Sequence, residues 1–219
     1  MLRKGEITLA ILICCTLFLA ACDKTKQPQT RFQRLPPSHT HINFSNDLQY
    51  DERFNIYTYR NFYNGGGVAI GDINHDSLPD IFFTANMLPN RLYLNKGNMQ
   101  FEDITEQAGI SKKGKWSTGV SMADINGDGW LDIYVCNSGD VKGDQRENEL
   151  YINNGNGTFT EKAREYGLND RGLSTHAAFF DYDHDGDLDM FLLNNSFKPI
   201  GSFNLQENER HKRDSLGGH

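Results

Sequence analysis

The chain has 219 residues, a net charge of −7 from 22 basic and 29 acidic groups, and 37% hydrophobic residues. That length suits one domain or part of a larger one, and the acidic balance argues against binding to a nucleic-acid backbone. Asp outnumbers Glu by 19 to 10, and Asn and Gly number 21 each; these residues favour turns and oxygen-lined loops, so a helical bundle is disfavoured.

The N-terminus reads as an address. Arg3 and Lys4 precede an apolar run from Ile7 to Ala21, which has the length of a secretory signal and is short for a membrane span. It ends Leu19-Ala20-Ala21-Cys22. This resembles the bacterial lipobox, and the resemblance implies cleavage before Cys22 and a thioether-linked lipid on it. An ordinary signal peptide cut nearby, or an uncleaved anchor, are the alternatives. Loss of residues 1–21 would remove Arg3, Lys4 and Glu6 and take the charge from −7 to −8. Residues 22–40 are polar, contain Pro28, Pro36 and Pro37, and read as a tether.

Residues 41–65 form a lead-in. His41 to Asn46 is expected to be a strand, completing the last blade of a full ring. Phe54, Tyr57, Tyr59, Phe62 and Tyr63 follow. They are expected to pack on the first repeat, the sharper alternative being a rim platform for a sugar or protein. Cys14 and Cys15 lie in the apolar run and Cys22 closes it, so Cys136 stands alone beyond them. No internal disulfide or Cys/His zinc pattern is available to it, and a buried place in a strand is expected.

From residue 66 the chain repeats itself. Gly67 to Asp80, Gly119 to Asp132 and His176 to Asp189 align without gaps at offsets of 52 and 57, and each is followed by an apolar run. Asn90 to Asn95 matches Asn148 to Asn153, and Lys96 to Phe101 matches Asn154 to Phe159, now at an offset of 58. Six extra residues therefore lie between these parts, placed around Ser138 to Arg146, where a loop can absorb them. In the second repeat, strands are predicted over 119–123, 133–136, 150–153 and 158–161. Asn154-Gly155-Asn156-Gly157 turns the last hairpin, because Asn and Gly tolerate positive φ. Four short strands in about 50 residues is the signature of a propeller blade.

Each repeat opens with a nine-residue loop of the form Asp-x-Asn/Asp-x-Asp-x-x-x-Asp, and 11 of the 19 aspartates sit in these loops. Oxygen-bearing side chains at positions 1, 3, 5 and 9, with the carbonyl at position 7, approach the 6–8 oxygens that calcium takes. A solvated acidic turn, with Asp and Asn capping their own backbone, explains one such copy but not three. An EF-hand would need an oxygen ligand at position 12 and a following helix. Position 12 is Phe83, Val135 and Leu192, within β-branched, aromatic and aliphatic runs, so a strand follows.

These loops, with the Leu-Tyr-Leu/Ile-Asn and Gly-Asn…Phe half-blades, resemble the FG-GAP/VCBS repeat family, which includes the calcium-bearing blades of integrin α-subunit propellers and many bacterial exported proteins. The resemblance implies an all-β fold: propeller blades of four antiparallel strands, with calcium held between the first two. Carried over by position, the ligands are Asp72, Asn74, Asp76 and Asp80, then Asp124, Asn126, Asp128 and Asp132, then Asp181, Asp183, Asp185 and Asp189, with the carbonyls of Leu78, Trp130 and Asp187. The first loop departs from the pattern with Ser77 at position 6, where Gly129 and Gly186 stand, and with Pro79 at position 8. The first site is therefore expected to be the weakest. About three repeats are present, over 66–116, 117–172 and 173–219. The third is expected to lack its outer half, as a piece of a larger propeller.

Nothing reads as catalytic. His75 and His184 occupy position 4 of the loops, His176 stands where Gly67 and Gly119 stand, and His39 and His41 flank the expected first strand. Ser117-Thr118 and Ser174-Thr175 recur with the repeat, which suits blade structure. No G-x-S-x-G, HExxH or phosphate loop is present. The expectation is a non-enzymatic, calcium-stabilised module on a lipid anchor in the cell envelope, at the outer membrane, binding a protein or glycan and no nucleic acid. The non-catalytic part of an envelope polysaccharide enzyme, or an architectural spacer, are the alternatives.

Overall fold

The computed structural model describes residues 31–110, 114–139 and 145–195. The apolar leader and residues 22–30 of the expected tether, Cys22 included, lie outside the described residues, as do 140–144 of the insertion and 196–219. The chain divides into two compact units, Met1–Leu35 and Pro36–His219, and the second carries everything below. No helix among the described residues is long and apolar enough to cross a membrane.

Among the described residues a four-residue helix, α1 (Pro37–Thr40), precedes ten strands. The first sheet joins β1 (Val68–Gly71), β2 (Asp80–Phe83), β3 (Arg91–Asn95) and β4 (Phe101–Asp103) in that order, every pair antiparallel. The second joins β5 (Ser117–Ala123), β6 (Asp132–Asn137), β7 (Glu149–Asn153) and β8 (Phe159–Glu161) in the same way. The third pairs β9 (Leu173–Phe180) with β10 (Asp189–Asn195). These are two four-stranded propeller blades and the inner pair of a third. Register repeats with the sequence: Ile81 opposes Tyr93 in the first blade and Ile133 opposes Tyr151 in the second. The tight β7–β8 turn places Gly155 at φ 70° and Gly157 at φ 80°, which a side chain would resist.

Sheet faces stack to form the core. Phe82 and Leu92 of the first blade pack with Val120, Ile133, Val135 and Tyr151 of the second. Tyr134, Cys136 and Leu150 on the second blade pack with Ala177 of β9 and its partly buried neighbours Phe179 and Met190. Phe82, Leu92, Ile133 and Tyr134 have no exposed surface; burying side chains of this size stabilises the fold by roughly 1.5–3 kcal/mol each. Cys136 is buried and unpaired, as expected.

Polar bridges cross between blades near the strand starts. Asn90 accepts from the Ala85 N–H at 2.9 Å and donates to Ser117 Oγ at 3.2 Å. Asn148 repeats this, accepting from Asn137 N–H at 2.7 Å and donating to Ser174 Oγ at 2.9 Å. Ser117 and Ser174 thus link blades, which accounts for their recurrence. Gly67 and Gly119 allow close stacking: a Cβ on them would lie 2.7 Å from the Thr118 carbonyl and 2.4 Å from the Thr175 carbonyl, respectively. His176, at the equivalent place in β9, is exposed.

The lead-in departs from expectation. Residues 41–46 form no strand. Phe44 stacks on Phe83 at 4.8 Å, and Asn46 exchanges hydrogen bonds with Asn86 at 2.8 and 2.9 Å. Side chains therefore hold this segment against the first blade, and the strand expected to complete the last blade does not form here. Further on, Phe54, Tyr59 and Phe62 pack around Trp116 and Leu173.

Candidate metal loops

The three loops connect β1 to β2, β5 to β6 and β9 to β10, so all three lie at the same end of their blades. In the first loop Asp72 accepts from the N–H groups of Asn74 and Asp76 at 3.3 and 3.2 Å and of Ser77 at 2.8 Å. In the second, Asp124 accepts from Asp128 and Gly129 N–H at 3.0 and 2.8 Å. Position 5 caps position 7: Leu78 N–H meets Asp76 at 2.8 Å, Trp130 N–H meets Asp128 at 2.9 Å and Asp187 N–H meets Asp185 at 3.1 Å. These bonds wind each loop so that its oxygens converge.

The winding demands a left-handed backbone at two positions. Position 4 has φ of 61° at His75, 72° at Gly127 and 65° at His184; position 6 has φ of 68° at Ser77, 93° at Gly129 and 97° at Gly186. Glycine adopts this conformation freely at position 6 of the second and third loops, and Ser77 adopts it in the first at a cost on the order of 1 kcal/mol.

Asp80 and Asp132, at position 9, are fully buried and hold more than the sequence indicated. The Ile73 N–H lies 3.0 Å from Asp80 Oδ2 and the Asn95 N–H 2.7 Å from its Oδ1. Asp132 repeats both bonds with Ile125 and Asn153, at 3.0 and 2.8 Å. Each aspartate therefore ties its loop to the third strand of its own blade. The asparagine that ends that strand completes the tie. Asn95 donates to the Pro79 carbonyl at 2.8 Å and accepts from Gly97 N–H at 2.9 Å. Asn153 donates to the Leu131 carbonyl at 3.2 Å and accepts from Gly155 N–H at 3.0 Å. Asn153 also reaches the Ile73 carbonyl in the first loop at 2.9 Å, across the blade interface. Sequence reasoning used these asparagines only to align the repeats; their recurrence after Leu-Tyr-Leu and Leu-Tyr-Ile was the signal for a structural role.

A second bridge joins the loops themselves. The His75 ring stacks on Trp130 with centroids 4.1 Å apart, and its Nε2 lies 3.0 Å from the Gly129 carbonyl.

The electrostatics follow burial and charge. Burial pushes the Asp80 and Asp132 carboxyls above their ordinary range, against the lowering effect of their amide donors, and the neighbouring loop aspartates add to the rise. Asp72 feels burial too, but its amide donors outweigh it and hold the carboxyl below that range. In the third loop Asp187 is raised, first by its hydrogen bond with Asp185 and then by the charges of Asp185, Asp189 and Asp183.

The third loop gathers acid most tightly. One carboxylate oxygen from each of Asp181, Asp183 and Asp189 lies within 4.8 Å of the others, and Asp181 Oδ1 is buried without a hydrogen-bond partner. In the first two loops position 3 is Asn, and its amide donates to the position 5 aspartate: Asn74 to Asp76 at 3.0 Å and Asn126 to Asp128 at 2.8 Å. With Asp183 at position 3, the third loop has no such internal donor. An orphaned buried carboxylate oxygen among like charges, in an all-oxygen set, fits a hard divalent cation.

A family model described as FG-GAP-like repeat matches residues 72–135 and 137–192. Cartilage acidic protein 1 of Xenopus tropicalis is 32% identical over 139 residues, 63% of this chain and 21% of that protein. The mouse protein of the same name is 40% identical over 73 residues, 33% of this chain and 11% of that protein. The human one is 40% identical over 76 residues, 34% and 12% of the two chains. This chain thus spans about a fifth, or less, of the length of the relatives it matches. The matched residues include all three aspartate loops and most of both complete blades, and the chain belongs to the FG-GAP-like repeat family.

Proposed function

We propose that this chain is a calcium-stabilised propeller module, carried on a lipid at Cys22 in the cell envelope, that binds a protein or glycan ligand and performs no chemistry on it. The observation that carries the calcium reading is the Asp181, Asp183 and Asp189 cluster with its buried, unpartnered Asp181 oxygen. These residues, with Asp185 and the Asp187 carbonyl, would hold the ion. Asp72, Asn74, Asp76 and Asp80 would hold one in the first loop beside the Leu78 carbonyl. Asp124, Asn126, Asp128 and Asp132 would do so in the second beside the Trp130 carbonyl. Bound calcium would cancel the repulsion among these carboxylates.

The module's own residues support a static role. Asp80 and Asp132 lock loop to blade, Asn153 and His75 lock one blade to the next, and Ser117 and Ser174 serve as bridge acceptors. Residues tied into such a frame suit presenting a surface better than moving protons. The leader ending in Cys22 and the polar residues after it support export and anchoring, at the outer membrane in our reading. Thermal melting of the full chain, with calcium and with excess chelator, tests the cation role. The melting temperature should rise in calcium, and an identical melt in both would refute it.

A further inference from the structure

Residues 50–63 carry two sets of apolar side chains that face opposite ways. Phe54, Tyr59 and Phe62 meet Trp116 at centroid distances of 4.9, 5.2 and 5.4 Å and hold the segment to the core. Tyr50, Tyr57 and Tyr63 turn outward, with 75%, 95% and 64% of their surface exposed. With Ile56 they line an open cavity of about 530 Å³, and its remaining wall is Asp51, Glu52 and Asn55. The expectation that all these aromatics pack inward therefore holds for one set only.

The cavity is built on a pinned turn. Asp51 Oδ1 accepts from the N–H groups of Arg53 and Phe54, both at 2.7 Å. Asn55 donates to the Asp51 carbonyl at 2.8 Å and accepts from Tyr57 N–H at 2.9 Å. Phe62 backs Tyr63 edge-on at 5.0 Å. These bonds fix the backbone that carries the rings, and Phe62 backs Tyr63, so that part of the wall loses little freedom when a ligand enters.

Its chemistry is one-sided. The lining holds two carboxylates and three aromatic rings and no Lys or Arg. The amides of Arg53 and Phe54 hold the Asp51 carboxyl below its ordinary range, so it stays charged. Glu52 makes none of the ion pairs found among the described residues. Aromatic faces are electron-rich, and cations are drawn to them. Carboxylates beside such faces select a cation that is also planar and can pair edge-on, which is a guanidinium rather than an ammonium. A neutral sugar could stack on the rings but would leave Glu52 without a countercharge, whereas Asp51 already has its two amide donors and the nearby charge of Arg53.

We propose that the cavity formed by Tyr50, Tyr57 and Tyr63 with Asp51 and Glu52 receives an arginine side chain presented by a partner protein. This deepens the binding reading above by naming a surface and a partner class, and it does not depend on the aspartate loops.

The test titrates the full chain with the peptide acetyl-Gly-Arg-Gly-Arg-Gly-amide and with its twin carrying neutral citrulline. Tyrosine ring shifts are followed by NMR in a sample whose calcium-dependent melt has been recorded. The arginine peptide should shift Tyr50, Tyr57 and Tyr63, and the citrulline twin should bind about tenfold more weakly. Glu52→Gln and Tyr57→Leu should each weaken binding roughly threefold to fivefold; both side chains are exposed, and Leu keeps the apolar bulk without the ring. Equal binding of the two peptides, or unchanged affinity in both variants, would overturn the proposal. So would maltohexaose shifting the same tyrosines while the arginine peptide does not, which would make the partner a glycan. A calcium-stabilised chain that ignores the arginine peptide would sink this inference alone and leave the cation reading standing.

Discussion

Replacing Asp132 by Ala should destabilise the protein even where no metal can bind. Asp132 is fully buried and accepts one hydrogen bond at each oxygen, from Ile125 N–H at 3.0 Å and Asn153 N–H at 2.8 Å. Alanine would leave one buried and one part-buried backbone donor without acceptors, at roughly 1–3 kcal/mol each. Burial also raises the Asp132 carboxyl above its ordinary range, so the charge itself is a cost that the variant recovers in part. The net loss should be about 3 kcal/mol in excess chelator, read by urea denaturation. Asp128 is the control: it is exposed and caps only Trp130 N–H and the Asn126 amide. Asp128→Ala should cost about 1 kcal/mol or less in chelator and show its main effect only in calcium. An Asp132→Ala variant within about 1 kcal/mol of the parent in chelator would refute the pinning role argued for this residue.

Ser77→Gly should stabilise by about 1 kcal/mol, since φ at Ser77 is 68°, whereas Gly129→Ala should destabilise by a similar amount; a Cβ at Gly129 would meet nothing within 4 Å, so the effect would be conformational. With Cys14, Cys15 and Cys22 replaced by Ser, Cys136 should resist iodoacetamide in the folded chain and react once it is unfolded in urea. Burial, then the charge of Asp170, pushes that thiol from 9.0 up to about 12. A thiol raised in this way contributes stability that is fully present below pH 9.0 and is lost as pH climbs toward 12, so alkaline melts should fall across that window. Metabolic labelling with a fatty-acid analogue should mark the parent chain and not Cys22→Ser, and equal labelling of both would place the anchor elsewhere.

What the sequence carried was whatever its repeats wrote more than once. Three aligned aspartate loops and two Leu-Tyr half-blades located the strands of the second blade to within two residues of β5 to β8. They also placed the turn at Asn154 to Gly157. Local chemistry sufficed there, because turn residues and alternating apolar runs act over a few positions. Contacts between distant residues were not legible. His75 meets Trp130 across a blade interface, and nothing in either loop alone announces the stack. Asp80 and Asp132 were read as ligands from their spacing, but their amide bonds to Asn95 and Asn153 arise only once the third strand lies alongside. The 41–46 segment had the composition of a strand, yet Phe44 and Asn46 secure it through side chains. The split of the 50–63 aromatics into an inward and an outward set likewise depends on Trp116, more than fifty residues further along the chain.

The central claim is that the aspartate loops are cation sites, and a calorimetric calcium titration of the full chain tests it most directly. About three ions should bind, with dissociation constants of roughly 10⁻⁴–10⁻³ M or somewhat tighter. The triple variant Asp181→Asn, Asp183→Asn, Asp189→Asn should lose one of them. Absence of calcium binding by the parent chain, or the same number of ions bound by the triple variant, would contradict the account.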